Sequence, residues 1–255
     1  MKIYLFIGPQ RSRTTSIYHF AKESNEISFH PEKEHNSFLK KDKPNYKSYT
    51  KQFAYRSEVA FDLCPQYANN SEARDFITKN QNWFEKIIYL YRDPFERAES
   101  IIKLQLSYGR NIDDIDKNEA FISSFVLHDE IKSWEQKIEK GKFIMWDVDS
   151  IENNLSTILN TKKKIALPHV HKAFGEPRFK LVNKIFLTPA LKIFRGLGLN
   201  DMVDTLKESS IIRRILFHQK LRPENKLALN LIHKFENELI KEKDYFIHNY
   251  LNKII

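Results

Sequence analysis

One cysteine in 255 residues, Cys64, excludes a disulfide framework and a thiolate metal site. A reducing compartment is its natural setting. No stretch approaches the roughly 20 apolar residues needed to cross a bilayer. The opening apolar run is too short for the hydrophobic region of a secretory signal, so a cytoplasmic location without a membrane span is expected. Glycine is scarce, at six residues, and each glycine in a turn therefore carries weight. Plentiful instead are basic side chains, which give a net charge of +9. That balance suits a polyanionic partner: nucleic acid, an anionic glycan, lipid headgroups or a nucleotide. No nucleic-acid recognition motif accompanies the charge, and no nucleic-acid partner is expected.

The length suits one domain over residues 1–255, with an α/β core over 1–160 and loop and helical additions over 161–255. Strand and helix signals alternate in the first part, which predicts a mostly parallel central sheet flanked by helices. Ile3–Ile7, Glu58–Leu63, Lys86–Asp93 and Lys142–Val148 read as strands. Thr14–Lys22 reads as a helix, and Pro94 opens another that runs to about Leu106 with Asp93 as N-cap. Apolar residues at three- and four-residue spacing predict a long amphipathic helix over 120–141, ending at Gly141. Helical periodicity returns from Pro223 to the end.

The stretch "GPQRSRTTSIYHFA" (Gly8–Ala21) raises the functional question. A strand that breaks at glycine and re-enters as a helix presents unpaired backbone N–H groups at the positive end of the helix dipole, a natural anion site. Arg11, Ser12, Arg13, Thr14 and Thr15 add guanidinium and hydroxyl donors there. An ATP- or GTP-binding loop needs Gly-Lys-Ser/Thr, where this chain has Arg13 and Thr14, so nucleotide hydrolysis of that kind is disfavoured. A second element, "KIIYLYRDPFERAES", places Arg92 at the end of a strand and Ser100 two turns into the next helix. Ligands of open α/β sheets bind outside the carboxyl ends of strands. Arg11 and Arg92 are therefore expected to converge on a nucleotide bearing two phosphate clusters.

These two stretches resemble the 5′-phosphosulfate loop and the 3′-phosphate motif of the PAPS-dependent sulfotransferases. "PEKEHNSF" (Pro31–Phe38) is similar to that family's Lys-Glu-x-x-Phe-Phe segment, and "FDLCPQYA" (Phe61–Ala68) to a stretch of its carbohydrate (heparan-sulfate-type) members. The C-terminal helix pattern echoes the one that closes such enzymes. The resemblance implies a P-loop-NTPase-like three-layer fold and transfer of a sulfuryl group from PAPS to a hydroxyl, or an amine, of a carbohydrate or other small acceptor. PAP is then the product, and no metal is needed. It implies that Arg11 stabilises charge on the leaving phosphate, and that Ser12, Arg13, Thr14 and Thr15 hold the 5′ side. Arg92 and Ser100 would hold the 3′-phosphate, Glu34 would act as general base with Lys33 beside the sulfuryl group, and His35 is a rival base.

The chain departs from the family pattern at two places. Arg13 stands where glycine is usual, and Asp62-Leu63 replaces a Glu-Lys pair. An inactive, PAP-binding protein and a P-loop-like nucleotide-binding protein or kinase therefore remain alternatives. His169 and His171 lack the companions of a metal site, while Arg178, Lys180 and Lys184 are candidates to line the nucleotide or an acidic acceptor. The acceptor's identity and the oligomeric state are not legible.

Overall fold

The structure, a computed structural model, describes residues 1–54, 57–107, 127–168 and 225–250. Five strands form one sheet: β1 (Lys2–Ile7), β2 (Ile27–Phe29), β3 (Val59–Leu63), β4 (Lys86–Tyr91) and β5 (Phe143–Asp147). Their order is β2-β3-β1-β4-β5, and every pairing is parallel. β1 and β4 read as unbroken apolar runs because strands in such a sheet are covered on both faces. β4 ends at Tyr91, two residues short of the sequence reading, so Arg92 and Asp93 lie beyond the strand.

Side-chain alternation sorts the core into two layers. One face gathers Ile3, Leu5, Ile7, Cys64, Ile87, Tyr89 and Tyr91. It packs against α2 (Tyr46–Thr50), α3 (Ser71–Lys79), α5 (His128–Lys137) and α8 (Glu236–Asn249). The other gathers Tyr4, Phe6, Phe61, Leu63, Ile88, Leu90 and Trp146 under α1 (Thr14–Glu23) and α6 (Ile151–Ile158). α4 covers Pro94–Ser107 and α7 Asn225–Lys234.

The long helix expected over 120–141 is described only as α5, which stops at Lys137 because Ile138 turns extended, well before Gly141. The C-terminal helix divides at Phe235 into α7 and α8. The short helices α2, α3 and α6 are additions to the sequence reading. Two compact units are distinguished. One holds residues 1–97, 120–170 and 235–255 and contains the whole sheet; the other holds 98–119 and 171–234. No helix among the described residues is long and apolar enough to cross a membrane.

Candidate functional site

From β1 the chain passes through α1 to β2 on one side of the sheet, and from β4 it passes to β5 on the other. The connections leaving these neighbours diverge, which opens a crevice at their carboxyl ends, the usual ligand position in a doubly wound sheet. The Gly8–Arg13 loop and Arg92 both lie at this edge.

Gly8 is dictated by packing. A Cβ there would stand 2.9 Å from the Leu90 carbonyl oxygen and 3.0 Å from its nitrogen, and φ is +140°. The loop then turns through two left-handed residues that are not glycine, Arg11 (φ 72°) and Arg13 (φ 59°). Each such residue costs on the order of 1–2 kcal/mol, strain of a kind concentrated at functional sites. Arg13 thus keeps the tight turn without the family's glycine. α1 begins with no side-chain cap and no acidic residue in its first turn, so its N-terminal dipole is not locally neutralised. The Ser12 hydroxyl is fully buried and has no hydrogen-bond partner among the described residues. Unpaired buried donors are costly, and an oxyanion seated on this loop supplies the missing acceptors. The loop therefore fits a phosphate group.

Arg92 reaches back across the crevice. Its Nη1 donates to the Arg11 carbonyl at 3.0 Å, while Nε and Nη2 meet Glu96 Oε2 at 3.4 and 3.3 Å. The two arginines picked from sequence are thus brought to one place, Arg11 through its backbone and Arg92 through its guanidinium. Arg13 extends the other way, to the Val148 carbonyl at 3.4 Å and Glu152 at 3.7 Å. Thr14 is buried and Thr15 half-buried at the start of α1. Ser100 lies within α4, in the second compact unit.

Asp93 caps α4 as the sequence predicts, but sequence reasoning missed the partners from α8 that hold the tip of β4. Asp93 Oδ1 accepts from the amides of Phe95 (2.9 Å) and Glu96 (3.3 Å), while Oδ2 pairs with Lys243 of α8 at 2.8 Å. Burial pushes the Asp93 carboxyl up, but Lys243 and the two amides outweigh it and hold the carboxyl below its ordinary value. One turn on, Arg97 is fully buried and makes a bidentate pair with the equally buried Glu242, at 2.6 and 2.7 Å. The Leu127 amide also donates to Glu242. Phe246 stacks on Tyr91, centroids 3.5 Å apart. No local signal marks Arg97 and Glu242 as partners 145 residues apart.

The Lys33–Glu34 segment follows β2 at the same edge of the sheet. Tyr18 of α1 donates to the Pro31 carbonyl (2.6 Å), and the Cys64 thiol donates to Asn36 Oδ1 (3.0 Å). The Phe38 amide donates to the Tyr67 hydroxyl (3.2 Å). Glu34 and Asn36 both have left-handed backbones, at φ 62° and 57°. Lys33 Nζ bonds Glu34 Oε1 at 2.5 Å. His35 stacks on His30, centroids 3.5 Å apart, with Lys40 Nζ 3.3 Å from its Nε2. Burial, then the neighbouring Lys40 charge, lowers His35 below its ordinary value; burial and the facing His35 bring His30 to about 4.

Leu63, where the family pattern has lysine, is buried among Phe6, Ile17 and Leu90 rather than turned toward the crevice. Asp62 points to the opposite face, where the Tyr49 hydroxyl donates to it at 2.6 Å. His169, His171, Arg178, Lys180 and Lys184 lie outside the described residues. Among the described residues, no group of three His, Cys, Asp or Glu side chains is placed to hold a metal.

Among solved structures, the chain is similar to a sulfotransferase from Alicyclobacillus acidocaldarius. The TM-score is 0.53 at 13% identity, over 77% of this chain and 95% of that one. A sulfotransferase domain from the Synechococcus PCC 7002 olefin synthase matches with a TM-score of 0.43 at 12% identity, over 63% of this chain and 72% of its own. No protein-family model matches the sequence, and no curated protein does. At 13% identity the first likeness shows the fold, a sulfotransferase-type three-layer α/β architecture.

Proposed function

We propose that this chain is a PAPS-dependent sulfotransferase acting on a hydroxyl, or an amine, of a carbohydrate or other small acceptor. The observation that carries the reading is the junction at the crevice, where the Arg92 guanidinium meets the Arg11 carbonyl beside an uncapped helix and a buried, unpartnered Ser12 hydroxyl. In this reading Ser12, Thr14, Thr15 and the amides at Arg11 and Arg13 hold the 5′ side. The Arg11 side chain offsets charge growing on the leaving phosphate. Arg92 exchanges its exposed Glu96 partner, worth at most about 1 kcal/mol, for the 3′-phosphate. Ser100 joins it on the strength of the sequence motif alone.

PAPS, when bound, supplies the activated sulfuryl group. Glu34 takes the proton of the acceptor hydroxyl, making it a competent nucleophile. Lys33, held against Glu34, is the cation nearest that exchange. Positioning and preplaced charge supply most of the rate, as in phosphoryl transfer.

Calorimetry with PAP and with ATP plus Mg²⁺ tests the reading. PAP should bind without metal in the micromolar range or tighter, and ATP should compete poorly. Arg92→Ala should weaken PAP at least tenfold. Unchanged affinity in both Arg92→Ala and Ser100→Ala refutes the nucleotide assignment. With an acceptor in hand, full transfer by Glu34→Gln would place the base elsewhere.

A further inference from the structure

At the opposite, amino-terminal edge of the sheet lies a cleft of about 450 Å³ that the nucleotide chemistry does not use. That volume falls within the range of small-ligand sites. Four lysines line it: Lys2 at the start of β1, Lys86 at the start of β4, and Lys140 and Lys142 before β5. Lys86 and Lys142 precede the paired residues Ile87 and Phe143, on strands about 4.8 Å apart, so their backbones are neighbours at this edge. Both are fixed by backbone carbonyls, Lys86 by Gly141 (2.6 Å) and Lys142 by Gln81 (3.1 Å) and Phe84 (3.3 Å). None of these carbonyl contacts neutralises an ammonium charge. Among the described residues the one carboxylate in the lining is Glu85, which leaves the four lysines an excess of about three positive charges by formal count.

The same cleft holds two aromatic rings, Tyr46, 43% exposed, and Trp83, with centroids 5.5 Å apart and planes tilted by 58°. Exposed Tyr and Trp offer an apolar face with a polar tip. The two rings are in contact with each other, so no slot opens between them to sandwich a flat base. The exposed face of Tyr46 instead accepts the puckered C–H face of a sugar, and the exposed Asn82 amide adds donors and an acceptor for hydroxyls.

From this we infer that the amino-edge cleft is a second binding site, for a short acidic saccharide whose sulfate or carboxylate groups meet the lysines while a ring packs on Tyr46 and Trp83. The inference is independent of the proposed reaction.

The test is calorimetric titration of the full chain with a heparin-derived tetrasaccharide, its desulfated counterpart and tetrauridylate, with and without PAP. Lys2→Gln/Lys140→Gln alters only exposed side chains and should weaken the sulfated tetrasaccharide at least tenfold. The control Lys22→Gln/Lys163→Gln, exposed lysines outside the cleft, should change it less than twofold. Tyr46→Ala should weaken it several-fold, desulfation should abolish binding, and Arg92→Ala should leave it unchanged. Equal losses from the two lysine pairs would show diffuse charge attraction and overturn the site. Tetrauridylate binding as tightly, with the same dependence on Lys2, Lys140 and Tyr46, would overturn the saccharide assignment.

Discussion

The two faces of the sheet solve the problem of burial differently. Under α1 and α6 the packing is apolar, with Phe6, Phe61, Leu63, Leu90 and Trp146 meeting edge to face or side by side. The other face encloses charge: Arg97 paired with Glu242, and Asp62 accepting from the Tyr49 hydroxyl. Apolar packing is nearly indifferent to pH and tolerates changes of similar volume. Buried charge is all or nothing, since removing one partner strands the other. Of the two faces, this one should carry the response of stability to charge and pH. That face also carries α8, whose Lys243 and Glu242 hold the two ends of the Asp93–Arg97 turn beside the crevice.

The largest effect should come from splitting the buried pair. Arg97→Met leaves Glu242 uncompensated and should cost about 3–5 kcal/mol in urea unfolding. Arg97→Met/Glu242→Leu should recover most of that loss, less about 1 kcal/mol for the Leu127 amide deprived of its acceptor. Arg92→Ala, in the same motif but half-exposed, should cost under about 1 kcal/mol. If the two arginines cost the same, the contrast between them fails.

How far the sequence could anticipate this is clear from that motif. Arg92 was legible because it follows an apolar strand and precedes a Pro-initiated helix, both local signals. Arg97 reads as one more helical charge until α8, contributed from far along the chain, covers it. The same holds at the crevice. The Gly8 turn, the parallel core strands and α1 follow from local pattern, whereas the contact of Gly8 with Leu90 and the stacking of His30 on His35 depend on tertiary placement. Leu63 shows the reverse: a departure from the family pattern becomes intelligible as core packing only once its face of the strand is known.

A pH titration of stability separates the faces next. Burial raises the Asp62 carboxyl from 3.8 to about 6, against the lowering effect of the Tyr49 hydrogen bond. Between those values the folded chain holds a proton that the unfolded chain has released, so raising pH across this window favours unfolding. The loss, about two pH units at 1.36 kcal/mol each, is up to about 3 kcal/mol. Asp62→Asn keeps an acceptor for Tyr49 and removes the titration. The stability of the native chain relative to this variant should fall from pH 4 to pH 7. A constant difference would mean that Asp62 titrates alike in both states.

The smallest effect lies at the rim of the apolar face, where Arg13 rests on Val148 and Glu152. Its left-handed backbone costs on the order of 1–2 kcal/mol, which glycine avoids. Against that, glycine loses about 0.5–1 kcal/mol more entropy on folding, and an exposed ion pair worth little disappears. Arg13→Gly should thus leave stability unchanged or raise it by about 0.5 kcal/mol. Because the guanidinium is turned toward β5 and α6, PAP affinity should move less than threefold, against at least tenfold for Arg92→Ala. A tenfold loss in Arg13→Gly would instead mean that the side chain swings back over the loop to meet the phosphate, and that the strained turn is kept for its charge.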